Sequence, residues 1–261
     1  MSDESIDPRI KLLLSELRLP TIRRVYAKIA KEVSVAGGDF RAFLHALLEE
    51  EIDERRKRRI QRRIKEARFR QEKLLSELEP SELPKAVSIE QLNELANCEY
   101  MERAANIIAI GNSGTGKTHV CTGLAMAACQ QGKRVRAFTA AELVSELQAA
   151  QEAHQLHRYL HRFAKWDLVF VDELGYLPIT EHGADLLFQA FSERHERKSV
   201  IVTTNLPFSE WGQVFQTERL AVAMLDRITH NATILEMNGD SYRLRSAKWR
   251  KKKKEEDDNK N

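Results

Sequence analysis

Apolar residues in the first third of the chain recur at the three- and four-residue spacing of an amphipathic helix. Two such runs extend over residues 10–17 and 22–33, and Gly37-Gly38 then interrupts the pattern. Asp39 is suited to cap a further helix, which continues into a strongly charged stretch. No strand pattern occurs in this part, so we expect a small all-α N-terminal domain over residues 1–79.

From about residue 88 the pattern changes to short apolar runs that alternate with helical segments. Pro80 and Pro84 mark a linker over residues 80–90. The strand candidates are Asn106–Ile110, Val135–Thr139, Leu168–Val171, Val200–Thr203 and Ala232–Met237. The expected helices include residues 118–130, 140 to about 165, and 218–230. Strands joined by helices predict an α/β domain with a central parallel sheet over residues 91–247, and the charged tail 248–261 is expected to be disordered.

Composition narrows the setting of the protein without identifying its chemistry. The chain has three cysteines, Cys98, Cys121 and Cys129, which show no Cys-x-x-Cys spacing and cannot all pair internally. This usage favours a reducing compartment. The first residues are polar and acidic, unlike a signal peptide, and no apolar run approaches the roughly 18 residues of a membrane span. We therefore expect a soluble cytoplasmic protein with no membrane partner.

A phosphate-binding pattern, G-x-x-x-x-G-K-[ST], is present at Gly111, Asn112, Ser113, Gly114, Thr115, Gly116, Lys117 and Thr118. It lies between a strand candidate and an expected helix, so loop N–H groups and the helix N-terminus face an anion. Lys117 is suited to reach the β- and γ-phosphates of a nucleotide, and the Thr118 hydroxyl is suited to hold Mg²⁺. The loop and the adjacent His119 form the expected nucleotide site. A simple glycine-rich turn is the alternative, but it would not require this order of elements.

Polar residues follow two later strand candidates. Asp172 and Glu173 come directly after the third apolar run, and Asn205 ends the fourth. Ligands of doubly wound sheets bind at the carboxyl ends of the strands. Asp172 is suited to hold Mg²⁺ through its water shell, Glu173 to accept a proton from an attacking water, and Asn205 to orient that water. The alternatives are two charges that solubilise a loop and a turn residue before Leu206-Pro207.

Three arginines near the end of the sequence are candidates for a role in phosphoryl transfer. A guanidinium stabilises the developing charge, and a neighbouring subunit often provides it. Arg227 lies off the apolar face of the expected helix 218–230, so an ordinary surface arginine is an open alternative. Arg219 and Arg243 are the other candidates.

The order of these motifs resembles the IstB/DnaC-type AAA+ ATPases over about residues 40–247. The likeness rests on the phosphate loop and on the segments Val169–Pro178, Thr203–Phe208, Leu225–Ile228 and Gly239–Arg243. The string Asp-Glu-Leu-Gly-Tyr-Leu-Pro is similar to the insertion-sequence IstB branch more than to the replicative helicase loaders. One departure is the segment Leu74–Ser81, which lacks the aromatic pair that usually leads into the family's ATPase core.

The resemblance implies an AAA+ P-loop fold with a three-layer core, and a transposition helper ATPase that directs a partner transposase to target DNA. It assigns the Walker A motif to Lys117 and Thr118, Walker B to Asp172 and Glu173, and sensor 1 to Asn205. Arg227 matches the trans-acting arginine finger, with Arg219 as the other possibility, and Arg243 matches the sensor 2 arginine.

A basic run over residues 55–70 contains ten Lys or Arg and one acid, Glu66. Such an excess favours a polyanion, because like charges along a helix otherwise repel. The predicted DNA-binding residues are Arg55, Arg56, Lys57, Arg58, Arg59, Arg62, Arg63 and Lys65. Their contacts address phosphates and carry no base code, so we expect sequence-tolerant binding of double-stranded DNA, with a log–log salt slope of about −5 for six phosphates. A solvated or partner-binding helix and an acidic membrane surface are the alternatives.

Together these features predict an ATP-dependent DNA-binding transposition helper that hydrolyses ATP to ADP and phosphate. Its cofactors are ATP and Mg²⁺, and it forms a homo-oligomer with ATP at the subunit interfaces. DNA is expected to stimulate hydrolysis, and the assembly recruits or activates a partner transposase. A DnaC-like helicase loader is the alternative. A metabolic P-loop kinase is a third, less favoured, because it would have no use for the basic run.

Overall fold

The computed structural model describes residues 8–176 and 178–239, and the chain divides into two compact units between Arg62 and Arg63. The first unit is helical and contains α1 (Pro8–Glu16), α2 (Pro20–Val35) and most of α3 (Phe40–Ala67). Its small core consists of Ile22, Ile29 and Leu47. The helical character expected for this part of the chain is therefore present, although the division falls earlier than residue 79.

The break and the cap expected before α3 are confirmed. Gly37 has a φ of +69°, a left-handed conformation that glycine adopts without a Cβ penalty. The Asp39 carboxylate accepts a hydrogen bond from the Ala42 N–H at 2.9 Å. This bond satisfies one of the unpaired donors at the start of α3.

A buried carboxylate fixes α2 against α3 within the first unit. Leu19 precedes α2 and provides no side-chain cap. Instead Glu51, 3% exposed, accepts hydrogen bonds from the Thr21 N–H at 2.9 Å and the Ile22 N–H at 3.1 Å. Burial alone would raise the pKa of Glu51, but the hydrogen bonds from Arg55 and from these two amides outweigh burial and lower it.

The second unit is built on five parallel strands in the order β2-β3-β4-β1-β5. The strands are β1 (Asn106–Ile110), β2 (Val135–Thr139), β3 (Leu168–Leu174), β4 (Ser199–Thr204) and β5 (Ala232–Glu236). The helices are α4 (Ile89–Ala96), α5 (Lys117–Gln130), α6 (Ala140–Glu152), α7 (Leu156–Phe163), α8 (Glu181–Ser192), α9 (Trp211–Phe215) and α10 (Glu218–Thr229). The predicted parallel α/β sheet is confirmed.

Successive strand residues point to opposite faces of the sheet and enter two separate cores. Ile107 and Ala109 lie in one core together with residues of α4 and α5. Ile108 lies in the other core with residues of α6, α7, α8, α9 and α10. Helices therefore cover both faces, which gives the expected three layers.

Two elements differ from the sequence prediction by more than one residue at an end. β3 continues through Asp172 and Glu173 to Leu174, with a register shift against β4 after Val171. The single helix expected from residue 140 to about 165 is two helices, because His154 adopts a left-handed φ of +54° between them. Helical periodicity continues across that break, so the pattern alone did not reveal it.

The residues from the last turn of α3 to α4 belong to the core of the second unit, which explains why the division precedes residue 79. Ala67 is fully buried in the core that contains α5, and Phe69, Leu75 and Leu78 pack against the same core. The predicted linker 80–90 does not run free, since Leu83 packs on this core and Val87 is 4% exposed. Proline content thus marked an irregular segment but not an unattached one.

All three cysteines are buried in one core and none forms a disulfide. Burial raises the pKa of Cys98 to about 11 and that of Cys129 to about 12. The pKa of Cys121 is also raised, chiefly by burial. They act as small apolar core residues.

Two expectations fall on residues that the structure does not describe, namely Arg243 and the tail 248–261. Among residues 8–176 and 178–239, no helix combines the length and apolar character needed to cross a bilayer.

Candidate functional site

The glycines of the phosphate loop adopt backbone angles that other residues rarely take. Gly111, Gly114 and Gly116 have φ values of +149°, +83° and +91°. A Cβ on Gly111 would lie 2.3 Å from the carbonyl oxygen of Met237, which excludes any side chain there. α5 begins at Lys117 without a side-chain cap and without an acid in its first turn. Its first N–H groups can therefore donate to an anion.

The Lys117 ammonium is held by the loop that it belongs to. Its Nζ donates to the carbonyl oxygens of Gly111 at 2.6 Å and Asn112 at 2.5 Å. The Thr115 hydroxyl donates to the Asn112 carbonyl at 2.9 Å. These bonds keep the Lys117 ammonium beside the loop, where phosphate oxygens would replace the two carbonyls as its partners.

The residues expected to hold Mg²⁺ are in direct contact. The Thr118 Oγ1 donates to the Asp172 Oδ1 at 3.1 Å, and the Thr203 hydroxyl donates to the same carboxylate oxygen. Asp172 is 8% exposed, so its orientation is fixed by these two hydroxyls. A hydroxyl and a carboxylate oxygen side by side form a donor set that suits a hard cation such as Mg²⁺.

Glu173 occupies a strained position beside this contact. Its φ is +61°, in the left-handed region, and the register shift of β3 falls at the same point. Its N–H donates to the Thr203 Oγ1 at 2.9 Å. A left-handed conformation costs a non-glycine residue roughly 1–3 kcal/mol and is concentrated at functional sites. The strain turns the exposed Glu173 side chain into the cleft described next.

A cleft of about 290 Å³ opens at the carboxyl edge of the sheet. Six of the nine predicted nucleotide-binding residues line it, namely Ser113, Gly114, Gly116, Lys117, Thr118 and His119. The other three, Gly111, Asn112 and Thr115, shape the loop without lining the cleft. Glu173 and Asn205 reach the same cleft because β4 lies between β1 and β3. The structure thus brings together residues that the sequence separates by about ninety positions.

Several cleft residues were not predicted from the sequence, namely Gln71, Lys73, Tyr176, Thr203 and Thr204. Thr203 left a signal, since a buried hydroxyl near the end of an apolar strand needs a polar partner. No sequence pattern marks Gln71 and Lys73, because they reach the cleft only through the path of the chain after α3.

The segment after α3 forms one wall of the cleft and is attached to α5. The Lys73 N–H donates to the Met126 sulfur at 3.3 Å, and the Leu74 carbonyl oxygen lies 3.1 Å from the His119 Nε2. A Cβ on Gly123 would lie 2.7 Å from Leu75, so this glycine permits the close approach. The segment that lacks the family's aromatic pair therefore begins beside the nucleotide cleft.

Neither Arg227 nor Arg219 lines this cleft. Arg227 lies in the last turn of α10, with its guanidinium 4.5 Å from the ring centroid of Phe188. It borders a different cavity together with Asn106, at the amino end of β1, whereas the phosphate loop follows the carboxyl end. Arg219 is exposed in the first turn of α10. A role for Arg227 at a γ-phosphate therefore requires a second copy of the chain.

Half of the predicted DNA-binding residues are engaged inside the protein. The pairs are Arg55 with Glu51 at 2.8 Å, Lys57 with Glu54 at 3.2 Å, Arg58 with the Thr21 hydroxyl at 2.5 Å, and Arg63 with Glu66 at 2.9 Å. The others, Arg56, Arg59, Arg62 and Lys65, are exposed, and their side chains have no partner among residues 8–176 and 178–239. Their i, i+3 spacing extends over about 13 Å of helix.

Known proteins share the sequence and the fold of this chain. The profile of a family described as IstB-like ATP binding protein matches residues 12–250. An insertion sequence ATP-binding protein of Sinorhizobium fredii is 34% identical over 241 residues, which cover 92% of this chain and 81% of that protein. An insertion sequence ATP-binding protein of Geobacillus stearothermophilus is 33% identical over 248 residues, 95% of this chain and 98% of that protein.

Among solved structures, the DnaC helicase loader aligns with a TM-score of 0.53 at 17% identity. The alignment covers 62% of this chain and 95% of the loader chain. This likeness concerns the fold alone, and it agrees with the predicted α/β core built on a central parallel sheet.

Proposed function

The chain belongs to the family of IstB-like ATP-binding proteins, and from this premise we propose that it is a DNA-stimulated ATPase that assists transposition of an insertion sequence. It assembles on double-stranded target DNA as a homo-oligomer, with ATP at the subunit interfaces, and recruits or activates a partner transposase. The contact between Thr118 and Asp172 beside the phosphate loop is the observation that carries the ATPase assignment.

Hydrolysis follows from the positions of three side chains in the cleft. Glu173 accepts a proton from a water whose oxygen bonds to the γ-phosphorus, and the bond from that phosphorus to the bridging oxygen of ADP breaks. Asn205 orients the water, and Lys117 leaves its loop carbonyls to pair with the phosphate oxygens. Mg²⁺, held by Thr118 and Asp172, supplies charge neutralisation at the phosphate oxygens when it is bound.

Arg227 supports assembly because it lies at the opposite edge of the sheet from its own cleft. In an oligomer it reaches the cleft of a neighbouring copy and stabilises the charge that develops on the transferred phosphoryl group. Arg243 serves as the sensor 2 arginine. ATP held between two copies favours the assembled state, and hydrolysis favours its release from DNA.

DNA binding is assigned to the four predicted cations of α3 that are exposed and have no partner in the described part of the chain. Arg56, Arg59, Arg62 and Lys65 address phosphates, and this mode of binding discriminates poorly between base sequences. The Arg55, Lys57, Arg58 and Arg63 side chains contribute less, because each already has an internal partner.

The central test measures ATP hydrolysis and particle mass with and without duplex DNA, in ATP and in ADP. We expect DNA to accelerate hydrolysis, and light scattering to show an oligomer on DNA that is favoured by ATP. Glu173→Gln is expected to bind ATP and assemble without hydrolysing. A wild-type chain that stays monomeric and ignores duplex DNA in both nucleotides would contradict the proposal.

Subunit mixing tests the shared site. Arg227→Ala and Lys117→Ala chains are each expected to be inactive, but a mixture should recover part of the ATPase, because one interface then contains an intact Lys117 and an intact Arg227. Arg219→Ala is the matched control and should retain activity. Absence of recovery at every mixing ratio would argue for self-contained sites. Capture of the transposase encoded by the same element, tested in ATP and in ADP, addresses the partner.

A further inference from the structure

Arg70 lies beside the cleft although the phosphate loop, the two acids and Asn205 are all far from it in sequence. Its Nη2 donates to the Glu142 Oε1 at 3.0 Å. Glu142 stands in the first turn of α6, where its carboxylate accepts the Thr139 N–H at 2.8 Å and its own N–H donates to the Thr139 hydroxyl. Thr139 pairs with Asp172 across β2 and β3. Arg70 is therefore connected, through one side chain and one strand pair, to the acids of the site.

The charges around Arg70 agree with this connection. Its pKa is raised, first by the hydrogen bond that it donates to Glu142 and then by the nearby negative charges of Glu142, Glu173 and Asp172, which outweigh partial burial. Burial would raise the pKa of Glu142, but the hydrogen bonds from Thr139 and Arg70 lower it. The guanidinium thus contacts the Glu142 carboxylate and interacts electrostatically with Glu173 and Asp172, which belong to the candidate active site. Its movement would change the electrostatic field at Glu173.

Arg70 also lies three residues beyond the end of α3, the helix that carries the predicted DNA-binding residues. The last turn of α3 is anchored, since Ala67 is fully buried and Arg63 donates to the Gly132 carbonyl at 3.2 Å. Arg68 then adopts a left-handed φ of +57° and turns the chain toward Glu142. Gln71 and Lys73 continue directly along the cleft. A displacement of the helix end is therefore passed to the cleft wall within five residues.

We infer that Arg70 is a positioning residue that couples DNA binding on α3 to hydrolysis through its ion pair with Glu142. The inference rests on the proposed function and names the regulation of that same site. DNA phosphates that engage Lys65 and Arg62 shift the end of α3, which moves Arg70 relative to Glu142 and changes how Glu173 is held. Without DNA, the ion pair keeps the site in its slower state.

The test compares Arg70→Gln, Glu142→Gln and the double variant by the ratio of DNA-stimulated to basal kcat. Gln at position 142 can still accept the Thr139 N–H as part of the capping box, so this variant removes the charge but retains the cap. Lys85→Gln is the matched control, because it removes an exposed positive charge of the same unit away from the cleft. DNA affinity, the KM for ATP and the melting temperature are measured for every variant.

We expect each single variant to lower the stimulation ratio by about threefold. Loss of a partly exposed ion pair can account for an effect of this size. The double variant should be no worse than either single variant, because both remove the same interaction. The change should appear in kcat, with DNA affinity and the KM for ATP within about twofold of wild type. Arg70→Lys, which retains the charge, should keep much of the stimulation, and Lys85→Gln should equal wild type.

A wild-type stimulation ratio in Arg70→Gln, with DNA still bound, would overturn the coupling and leave the proposed function intact. Equal losses of kcat with and without DNA would also overturn it, since they would indicate a purely structural role. If the wild-type chain itself neither binds duplex DNA nor responds to it, the proposed function fails, and the coupling fails with it. If Arg70→Gln does not fold, Glu142→Gln replaces it in this comparison, with Arg70→Lys as the variant that retains the charge.

Discussion

Lys117 and Asp172 at the nucleotide site have fixed partners, whereas half of the cations predicted on α3 to bind DNA have none among residues 8–176 and 178–239. Lys117 is held by two loop carbonyls, and Asp172 by two hydroxyls. On α3, Arg56 and Arg59 point to solvent without a described partner. The phosphate-loop motif predicts individual binding residues, because glycines with positive φ fix the backbone and so the positions of the side chains. A run of basic residues predicts only the class of ligand, because each long side chain on a helix can pair either with another residue of the protein or with the ligand.

The difference concerns energy as well as position. A substitution in the phosphate loop disturbs a backbone conformation for which there is no substitute. We therefore expect a large effect that is confined to nucleotide binding. A substitution on α3 removes either one phosphate contact among several or one internal bond. The first changes the salt dependence of DNA binding, and the second changes the free energy of unfolding. The following predictions use that distinction, starting with the largest effect.

Among the glycines that the structure describes, Gly111 should tolerate substitution by alanine least. The new Cβ would lie 2.3 Å from the Met237 carbonyl oxygen at a φ of +149°, so the loop or β5 must move. Overpacking of this kind costs roughly 1–3 kcal/mol, to which backbone strain is added. We expect ATP binding to weaken at least about a hundredfold, since a misplaced loop loses several charge-assisted hydrogen bonds together. Nucleotide titration and urea unfolding measure both effects.

Gly37→Ala provides the matched control in the helical unit. Gly37 also has a positive φ, +69°, but no atom lies within 4 Å of a Cβ placed there. Only the left-handed strain of about 1–2 kcal/mol remains, and ATP affinity should not change. Equal loss of ATP affinity in the two variants would show that the clash at Gly111 does not determine the loop.

Glu51→Ala should lower the free energy of unfolding of the helical unit by about 2 kcal/mol, because two amides at the start of α2 lose their buried acceptor. Urea unfolding, with hydrogen exchange at α2, measures the loss. The exposed neighbour Glu50 supplies the control, and Glu50→Ala should change stability by less than about 0.5 kcal/mol. A Glu51→Ala variant as stable as the wild type would mean that α2 does not depend on this cap.

The same carboxylate predicts a pH dependence. The pKa of Glu51 is lower in the folded protein than the ordinary value of 4.5. Its ionised form therefore stabilises the fold at pH values above 4.5, and this contribution is lost as the pH falls through the lower folded value. Glu51→Gln lacks this charge, so its stability deficit relative to wild type should shrink between about pH 6 and about pH 3. A deficit independent of pH would contradict the charged hydrogen bonds.

DNA binding should distinguish the two kinds of basic residue on α3. With four cations that have no partner within residues 8–176 and 178–239, the log–log salt slope should be about −3.6 rather than the −5 expected from six contacts. Arg56→Ala and Arg59→Ala should each make the slope less steep by about one while stability stays unchanged. Arg55→Ala should instead destabilise the helical unit, because it removes a partner of the buried Glu51. Equal slope changes for Arg55 and Arg56 would remove the distinction.

The sequence predicted the sheet well because strands buried on both faces leave continuous apolar runs. It missed the extension of β3, since Asp172 and Glu173 interrupt that run although they remain in the strand. It also missed the end of the helix at Glu152, because the left-handed turn at His154 changes one backbone angle without changing the apolar spacing.

The candidate site divides in the same way. Lys117 and Asp172 were predicted because each belongs to a local pattern next to a strand. Arg70, Gln71 and Lys73 were not, because the chain brings them back to the cleft only after Ala67 has been buried in the core. Long-range return of a segment depends on tertiary packing, and no periodicity within the segment encodes it.

The smallest predicted effect concerns Lys57, which lies between the two classes of basic residue. Its ammonium is 3.2 Å from Glu54, a carboxylate that Arg24 also approaches at 3.3 Å, yet the Lys57 side chain is 68% exposed. Lys57→Ala should change the free energy of unfolding by less than about 0.5 kcal/mol, because exposed ion pairs contribute little and Arg24 remains beside Glu54. It should change the salt slope by less than about half a unit, since Glu54 already offsets much of its charge. A full unit of slope would show that DNA displaces Glu54, and internal ion pairs on α3 would then not decide which residues bind.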